Sequence, residues 1–348
     1  MPLPPPTAEA QVAFLRDVQR LLGEGSFTAT YKFALLQALA DLAVLRGDDS
    51  GDALTLSTRD IAEAMIGLYW RQSLPYPGAG DEGVLRQNTK GQAEIVTRLH
   101  RARAATDGSL ARLRQDGREW GRLVRAVDRV VREMPLWRLQ QVADTRLDFL
   151  YPHTPGASQV TLRPGVAHCL RAFHGLISEL VRGAWVRFVR RRNPALVGEA
   201  ADLAAFLFGT ERAALGRLRP LLVDLQRGEC FYCRRPLRGP GEVDHFIPWS
   251  RYPLDMGHNF VLAHVACNQA KSSHLAAVRH LGAWRERTAL HGAELTDGLR
   301  TLRLGHDADA AEKVARWAYG QAERAGGRTW VIGTTFEALT TTLRAARP

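Results

Sequence analysis

The stretch "CFYCRRPLRGPGEVDHFIPWSRYPLDMGHNFVLAHVACNQAKSSH", residues 230–274, holds three of the chain's four cysteines. Cys230 and Cys233 form a C-x-x-C pair, and His264 and Cys267 form an H-x-x-C pair further along. Two such pairs are typical of tetrahedral zinc, because each two-residue gap lets a tight turn aim both side chains at one ion. We therefore expect these four residues to bind a structural zinc ion.

Two alternatives for this cluster follow from the same residues. His274 also lies close to Cys267 in sequence, so it competes with His264 for the place of the fourth ligand. A C-x-x-C pair alone also occurs in redox proteins, but that use requires a thioredoxin-like strand and helix, which "CRRPLRGPG" does not indicate. The remaining cysteine, Cys169, stands alone and is expected to be packed in a core.

The residues between and beside the two pairs are more than a zinc clip needs. "EVDHFIPWS" predicts a short strand that carries Asp244 and His245 and ends before a proline. Asn259 follows a histidine further on, Asn268 comes directly after the last cysteine of the stretch, and Lys271 lies about one helical turn later. These polar residues predict a second, chemical role for the segment.

The order C-x-x-C, D-H-x-x-P, H-N and C-N-x-x-K resembles the HNH endonucleases, the zinc-containing branch of the His-Me finger (ββα-metal) superfamily. The resemblance covers about residues 228–280. It departs from the commonest pattern at His264, where the second zinc pair usually begins with cysteine. Zinc accepts imidazole as readily as thiolate, so the exchange keeps the expected site intact.

The resemblance implies phosphodiester hydrolysis that depends on a metal. His245 would be the general base, since histidine titrates near neutral pH, and Asp244 and Asn268 would bind catalytic Mg²⁺ or Mn²⁺. Asn259 would orient the loop that carries the base, with a purely structural role as its alternative. Lys271 would contact a phosphate, unless it is only a surface residue. His258 and His264 remain competitors of Asn268 for the catalytic metal.

The charge of the chain favours a polyanionic partner. There are 47 basic and 36 acidic residues, which give a net charge of +11 and a pI near 10.1. Only four of the cations are lysines, so a GC-rich genome also explains part of the arginine content. One predicted helix end concentrates arginines around Trp185 and Phe188, and we expect it to bind phosphates: Arg187, Arg190, Arg191 and Arg192. The alternative is a solvated helix C-terminus whose cations suit the helix dipole.

Hydrophobic periodicity predicts a mainly α fold with small β elements and two or three domains. The predicted divisions are a helical region at 1–75, a helical accessory or sensor region at 84–227 with a short β-hairpin near 146–163, a ββα-metal zinc module at 228–282 and a helical C-terminal extension at 283–348. The first region is either winged-helix-like or a simple helical bundle. The sequence shows neither a long apolar run nor a signal-peptide start, so we expect a cytoplasmic protein without membrane contact.

The function expected from these features is a metal-dependent HNH endonuclease that cuts double-stranded DNA, by family analogy in restriction or phage defence. One alternative is a nuclease subunit of a larger nucleic-acid-targeting complex. Another is a zinc-stabilised binding module that has lost catalysis. A homodimer or a partner protein subunit remains open, as do RNA and single-stranded substrates.

Overall fold

A computed structural model of the chain describes residues 1–77, 83–196, 200–209, 215–253 and 256–339. The chain divides into two compact units, Met1–Gly209 and Thr210–Pro348. As predicted, it is mostly helical, and the described strands form small antiparallel pairs. No helix among these residues combines the length and the apolar character that a membrane span requires.

The first unit is built from helices around one hydrophobic core. Its helices are α1 (Ala8–Glu24), α2 (Tyr31–Arg46), α3 (Thr58–Trp70), α4 (Glu94–Ala104), α5 (Leu110–Gln115), α6 (Gly117–Glu133), α7 (Pro135–Arg138), α8 (Val166–Ala172), α9 (His174–Arg192) and α10 (Ala200–Phe208). Its strands are β1 (Leu54–Ser57), β2 (Gln141–Val142), β3 (Thr145–Arg146) and β4 (Gln159–Leu162).

Helix α2 lies at the centre of this unit. Its residues from Phe33 to Ala40 are buried on every side, as expected of a helix that is apolar around its whole circumference. Helices from both predicted regions, 1–75 and 84–227, share the core around it. The division between those two regions stays a prediction, and residues 78–82, which separate them in sequence, lie outside the described residues. Cys169 is buried in this core, as predicted.

The β-hairpin predicted near 146–163 is wrong. Strand β4 pairs with β1, which lies more than a hundred residues earlier in the sequence. Leu54 is opposite Leu162, and Ser57 is opposite Gln159. Strand β3 pairs instead with β2. Alternate residues of β4, Val160 and Leu162, are buried. Strand β1 forms the backbone hydrogen bonds with β4, and its Leu56 is buried in the same core. A partner this distant leaves no local signal in the sequence.

The second unit contains the cysteine-rich stretch. Its helices are α11 (Arg219–Leu225), α12 (Val265–Lys271), α13 (Val278–Thr301) and α14 (Ala308–Arg324). Its strands are β5 (Glu242–His245), β6 (Phe260–Ala263), β7 (Arg328–Ile332) and β8 (Thr335–Ala338). Strands β5 and β6 are antiparallel, with His245 opposite Phe260, and α12 follows β6 directly, which gives a ββα arrangement.

The C-terminal elements of this unit pack on the ββα elements. The Trp284 ring of α13 stacks on Phe246 at 5.4 Å between centroids, and Trp330 of β7 lies 5.2 Å from Tyr232, edge to face. Over its described residues, 283–339, the extension predicted at 283–348 contains most of α13, all of α14 and the hairpin of β7 and β8, and it shares aromatic packing with residues 228–282.

Candidate metal and catalytic centre

Four side chains of the second unit converge as the sequence predicts. One donor atom each from Cys230, Cys233, His264 and Cys267 lies within 4.8 Å of all the others, and the Cys233 Sγ is 3.3 Å from the His264 Nδ1. The C-x-x-C pair sits on a tight turn in which Arg234 adopts a positive φ of 58°. His274 is not part of the cluster, because its exposed ring packs edge-on against Phe336 at 4.8 Å.

A carbonyl fixes the orientation of the imidazole in the cluster. The Nε2 of His264 lies 3.1 Å from the Pro236 carbonyl oxygen, which can only accept a hydrogen bond. The proton is therefore on Nε2, and the lone pair of Nδ1 faces the three sulfur atoms. Hydrogen bonding of the outer nitrogen is how metal-binding histidines are usually oriented.

The thiols of the cluster do not ionise independently. Burial opposes ionisation of Cys230, but backbone N–H groups of Cys233, His264 and Tyr232 donate to its sulfur and lower its pKa overall. Burial, together with the charges on Cys230 and Cys233, raises the pKa of Cys267 to about 12. Three crowded sulfurs resist common ionisation unless a cation is shared among them, and three thiolates with one imidazole are a known ligand set of structural zinc.

Asp244 is held by two buried donors. Its Oδ2 accepts a hydrogen bond of 2.5 Å from the Tyr232 hydroxyl and forms an ion pair with the Lys271 Nζ at 2.9 Å. The Asp244 side chain is 10% exposed and that of Lys271 is 0% exposed. Among the described residues, no donor reaches the other carboxylate oxygen, Oδ1, which leaves it available as a hard oxygen ligand.

The prediction that Lys271 contacts a phosphate is wrong. Its ammonium is sealed in the interior, where it pairs with Asp244 and also donates to the His245 carbonyl oxygen at 2.9 Å. A buried carboxylate needs a counter-charge, and Lys271 supplies one from the last turn of α12. The residue thus fastens helix α12 to the end of strand β5.

Asn268 is oriented by a carboxylate that the sequence interpretation did not single out. Its Nδ2 donates to the Glu242 Oε2 at 2.9 Å. Because a carboxylate only accepts hydrogen bonds, the amide must turn its nitrogen towards Glu242, and its oxygen then points elsewhere. Glu242 stands two residues before Asp244 on β5, so the two-residue period of a strand places both on one face and could have revealed it.

His245 and Asn259 occupy the end of the strand pair. The His245 ring, half-buried, lies 4.7 Å from Phe260 and 5.4 Å from Trp249 between centroids. Asn259 is buried and grips the loop after His245 twice: its Oδ1 accepts from the Ile247 N–H at 2.8 Å, and its Nδ2 donates to the Ile247 carbonyl at 2.9 Å. These contacts fix the backbone that carries the histidine.

Residues distant in sequence also support the segment between β5 and β6. Sequence patterns near the motif could not predict these contacts. Arg287 is buried and donates to the carbonyl oxygens of His258 and Phe260 at 2.8 and 2.7 Å. His258 is buried against α13, with its Nε2 3.1 Å from the Thr296 hydroxyl. Tyr252 is buried and packs on Trp317, whereas Trp249 remains beside His245.

The predicted arginine cluster belongs to the first unit. Its four members are exposed at the end of α9: Arg187, Arg190, Arg191 and Arg192. Trp185 and Phe188 are buried in the core of that unit. The aromatic rings therefore pack internally and offer no face to a nucleic-acid base, while the cations remain accessible.

Comparison with known proteins agrees with the geometry of the second unit. Residues 235–277 match the family model described as HNH endonuclease, a range that includes β5, β6 and α12. No curated protein and no solved structure matches the chain. Residues 235–277 are therefore an HNH endonuclease segment within a longer chain, and this class implies nuclease chemistry on a nucleic acid.

Proposed function

We propose that the chain is a metal-dependent endonuclease that hydrolyses phosphodiester bonds of double-stranded DNA, in restriction or phage defence. The observation that carries the proposal is the presence of two separate sets of side chains within the second unit. One set is the cluster of three cysteines and His264. The other is the polar set on β5 and α12, where Lys271 and Glu242 hold Asp244 and Asn268.

The place of His245 at the end of β5 supports its proposed role as general base. Its ring is half-buried beside Phe260 and Trp249, and an imidazole at this place is suited to take a proton from a water molecule that attacks phosphorus. Asn259 orients the ring by fixing the following loop through Ile247. The backbone that carries His245 is therefore held at the His245 carbonyl by Lys271 and at Ile247 by Asn259.

Two oxygen ligands fit a catalytic divalent metal. The Asp244 Oδ1 has no donor among the described residues, and the Asn268 amide oxygen is turned away from Glu242. Carboxylate and amide oxygens suit Mg²⁺ or Mn²⁺, which when bound would neutralise charge on the leaving oxygen. Lys271 keeps Asp244 in one orientation and balances its charge in the interior.

Plasmid cleavage in Mg²⁺ or Mn²⁺ tests the proposal together with zinc analysis. We expect His245→Ala to abolish cleavage, a loss of at least about a hundredfold for a general base, while the zinc content stays at one ion per chain. Cys233→Ser is the matched variant, because it should lose zinc and native structure together. Equal cleavage by the wild type and His245→Ala in every metal would contradict the proposal. Loss of zinc from His245→Ala would show that this histidine belongs with the zinc-binding cluster of three cysteines and His264.

A zinc-stabilised binding module without catalysis is the second candidate, and one observation favours it. The Asp244 Oδ2 is already occupied by Tyr232 and Lys271, so only one carboxylate oxygen is left for a catalytic metal. Under this alternative the wild type binds nucleic acid with the same affinity in EDTA and in Mn²⁺ and cleaves none of a panel of single- and double-stranded DNA and RNA. Light scattering with and without DNA separates a self-sufficient enzyme from a subunit of a larger complex.

A further inference from the structure

Helix α6 of the first unit carries a stripe of cations that the expected phosphate-binding residues do not include. This arginine stripe consists of Arg118, Arg122, Arg125, Arg129 and Arg132. The spacing alternates between four and three residues, which places all five side chains on one face of a helix. From the first to the last, the stripe extends about 21 Å at the helical rise of 1.5 Å per residue.

The opposite face of α6 fixes which way the stripe points. Trp120, Val124, Val127 and Val131 are buried in the core of the unit. The Asp116 side chain caps the first turn by accepting from the backbone N–H groups of Arg118 and Glu119. Because its apolar face is packed and its first turn is capped, α6 directs the arginine stripe towards solvent.

Most of the stripe is not neutralised within the unit. Arg122 pairs with Glu119 and remains 61% exposed, and Arg132 pairs with Asp128. Within the described ranges, Arg118, Arg125 and Arg129 form no ion pair with a carboxylate, and all three are exposed. A row of unpaired guanidinium groups on a rigid face raises the local potential and attracts a linear polyanion.

We infer that the arginine stripe of α6 is a docking surface for the phosphate backbone of duplex DNA. The inference rests on the proposed function, which supplies a nucleic-acid substrate, and it locates part of the binding in the first unit. Contacts between guanidinium groups and phosphates position a duplex and carry no sequence information themselves, so the stripe is expected to bind duplexes of different sequence alike.

The test is the salt dependence of binding in the His245→Ala background, which prevents cleavage. The stripe variant is R122Q/R125Q/R129Q, and the matched control R16Q/R20Q/R59Q removes three exposed arginines from α1 and α3. Fluorescence anisotropy with a short mixed-sequence DNA duplex should show at least about tenfold weaker binding for the stripe variant. The slope of log K against log salt should fall by about three, and the control should match the parent protein.

Equal affinities and slopes for the stripe variant and the control would overturn the inference, even if the wild-type protein cleaves DNA. Absence of cleavage by the wild type, with a stripe-dependent salt slope retained, would instead overturn the proposed function alone. Two further arms use single-stranded RNA and vesicles of phosphatidylcholine with phosphatidylserine. Stripe-dependent binding to either of these, without binding to the duplex, would also overturn the inference. Far-UV circular dichroism and thermal unfolding confirm that the stripe variant is folded.

Discussion

At the scale of single residues, the candidate site depends on a buried ion pair between Lys271 and Asp244. Removal of one partner leaves an uncompensated charge in the interior, which is far more costly than loss of an exposed pair. We expect Lys271→Met to lower the free energy of unfolding by about 3–5 kcal/mol, measured by urea denaturation of the zinc-loaded protein. Adding Asp244→Asn should restore part of this loss, because the unpaired charge is then gone.

Lys313→Met is the control for Lys271→Met. It also replaces a lysine by methionine, but the lysine belongs to an exposed ion pair with Asp309 on α14. A change below about 1 kcal/mol is expected there. If Lys271→Met were no more costly than Lys313→Met, Asp244 would not depend on its buried partner. The double variant also distinguishes lost charge pairing from lost packing, because packing is not restored by Asp244→Asn.

The residues of the site differ in how far the sequence could reveal them. The four ligands of the cysteine cluster lie in two short pairs, so spacing alone brings each pair together. Glu242 could have been found from its place two residues before Asp244. The burial of Lys271 could not, because it depends on Tyr232 from the cysteine turn and on the packing of α12, and a single lysine at a helix end normally faces solvent.

At the scale of elements, the long helix α13 holds the loop between β5 and β6 through a buried histidine. His258 lies against Thr296, and its Nδ1 has no hydrogen-bond partner in the described part of the chain. Burial first, and then the positive charges of Arg287 and His306, lower its pKa below the usual 6.5. The folded state therefore keeps this ring neutral in a pH range where the unfolded chain protonates it.

The pH dependence of stability follows from that difference. Stability is fully present above pH 6.5 and falls as the pH decreases from 6.5 towards the lowered pKa, by up to about 1.4 kcal/mol per pH unit for this one group. We expect His258→Gln to flatten the slope of unfolding free energy between pH 7.5 and about 5, measured with urea in excess zinc. His274→Gln changes an exposed ring and should leave the slope as it is. Equal slopes in both variants would assign the acid sensitivity to other groups, such as buried His280.

At the scale of the whole molecule, the sequence predicts the ββα module well, but it does not predict the packing of the C-terminal helices and hairpin on that module. The motif predicts β5, β6 and α12 because their signals lie within one short stretch. The packing of Trp284 and Trp330 on this module joins residues far apart in sequence, as does the pairing of β1 with β4 in the first unit. Such contacts depend on chain closure over long loops, for which local periodicity carries no information.

A dissection of the chain tests how the second unit is completed. Ala277 N–H donates to the Trp330 carbonyl at 2.7 Å, and Leu295 and Leu299 of α13 are buried with Leu222 and Phe260. A fragment of residues 210–348 should therefore unfold cooperatively and bind one zinc ion, whereas residues 210–282 should lack near-ultraviolet circular dichroism and a cooperative transition. Cys233→Ser in the longer fragment is the control for metal dependence. Cooperative unfolding of the shorter fragment with zinc bound would mean that residues 228–282 are a self-sufficient domain and that α13, α14 and the terminal hairpin only pack against it.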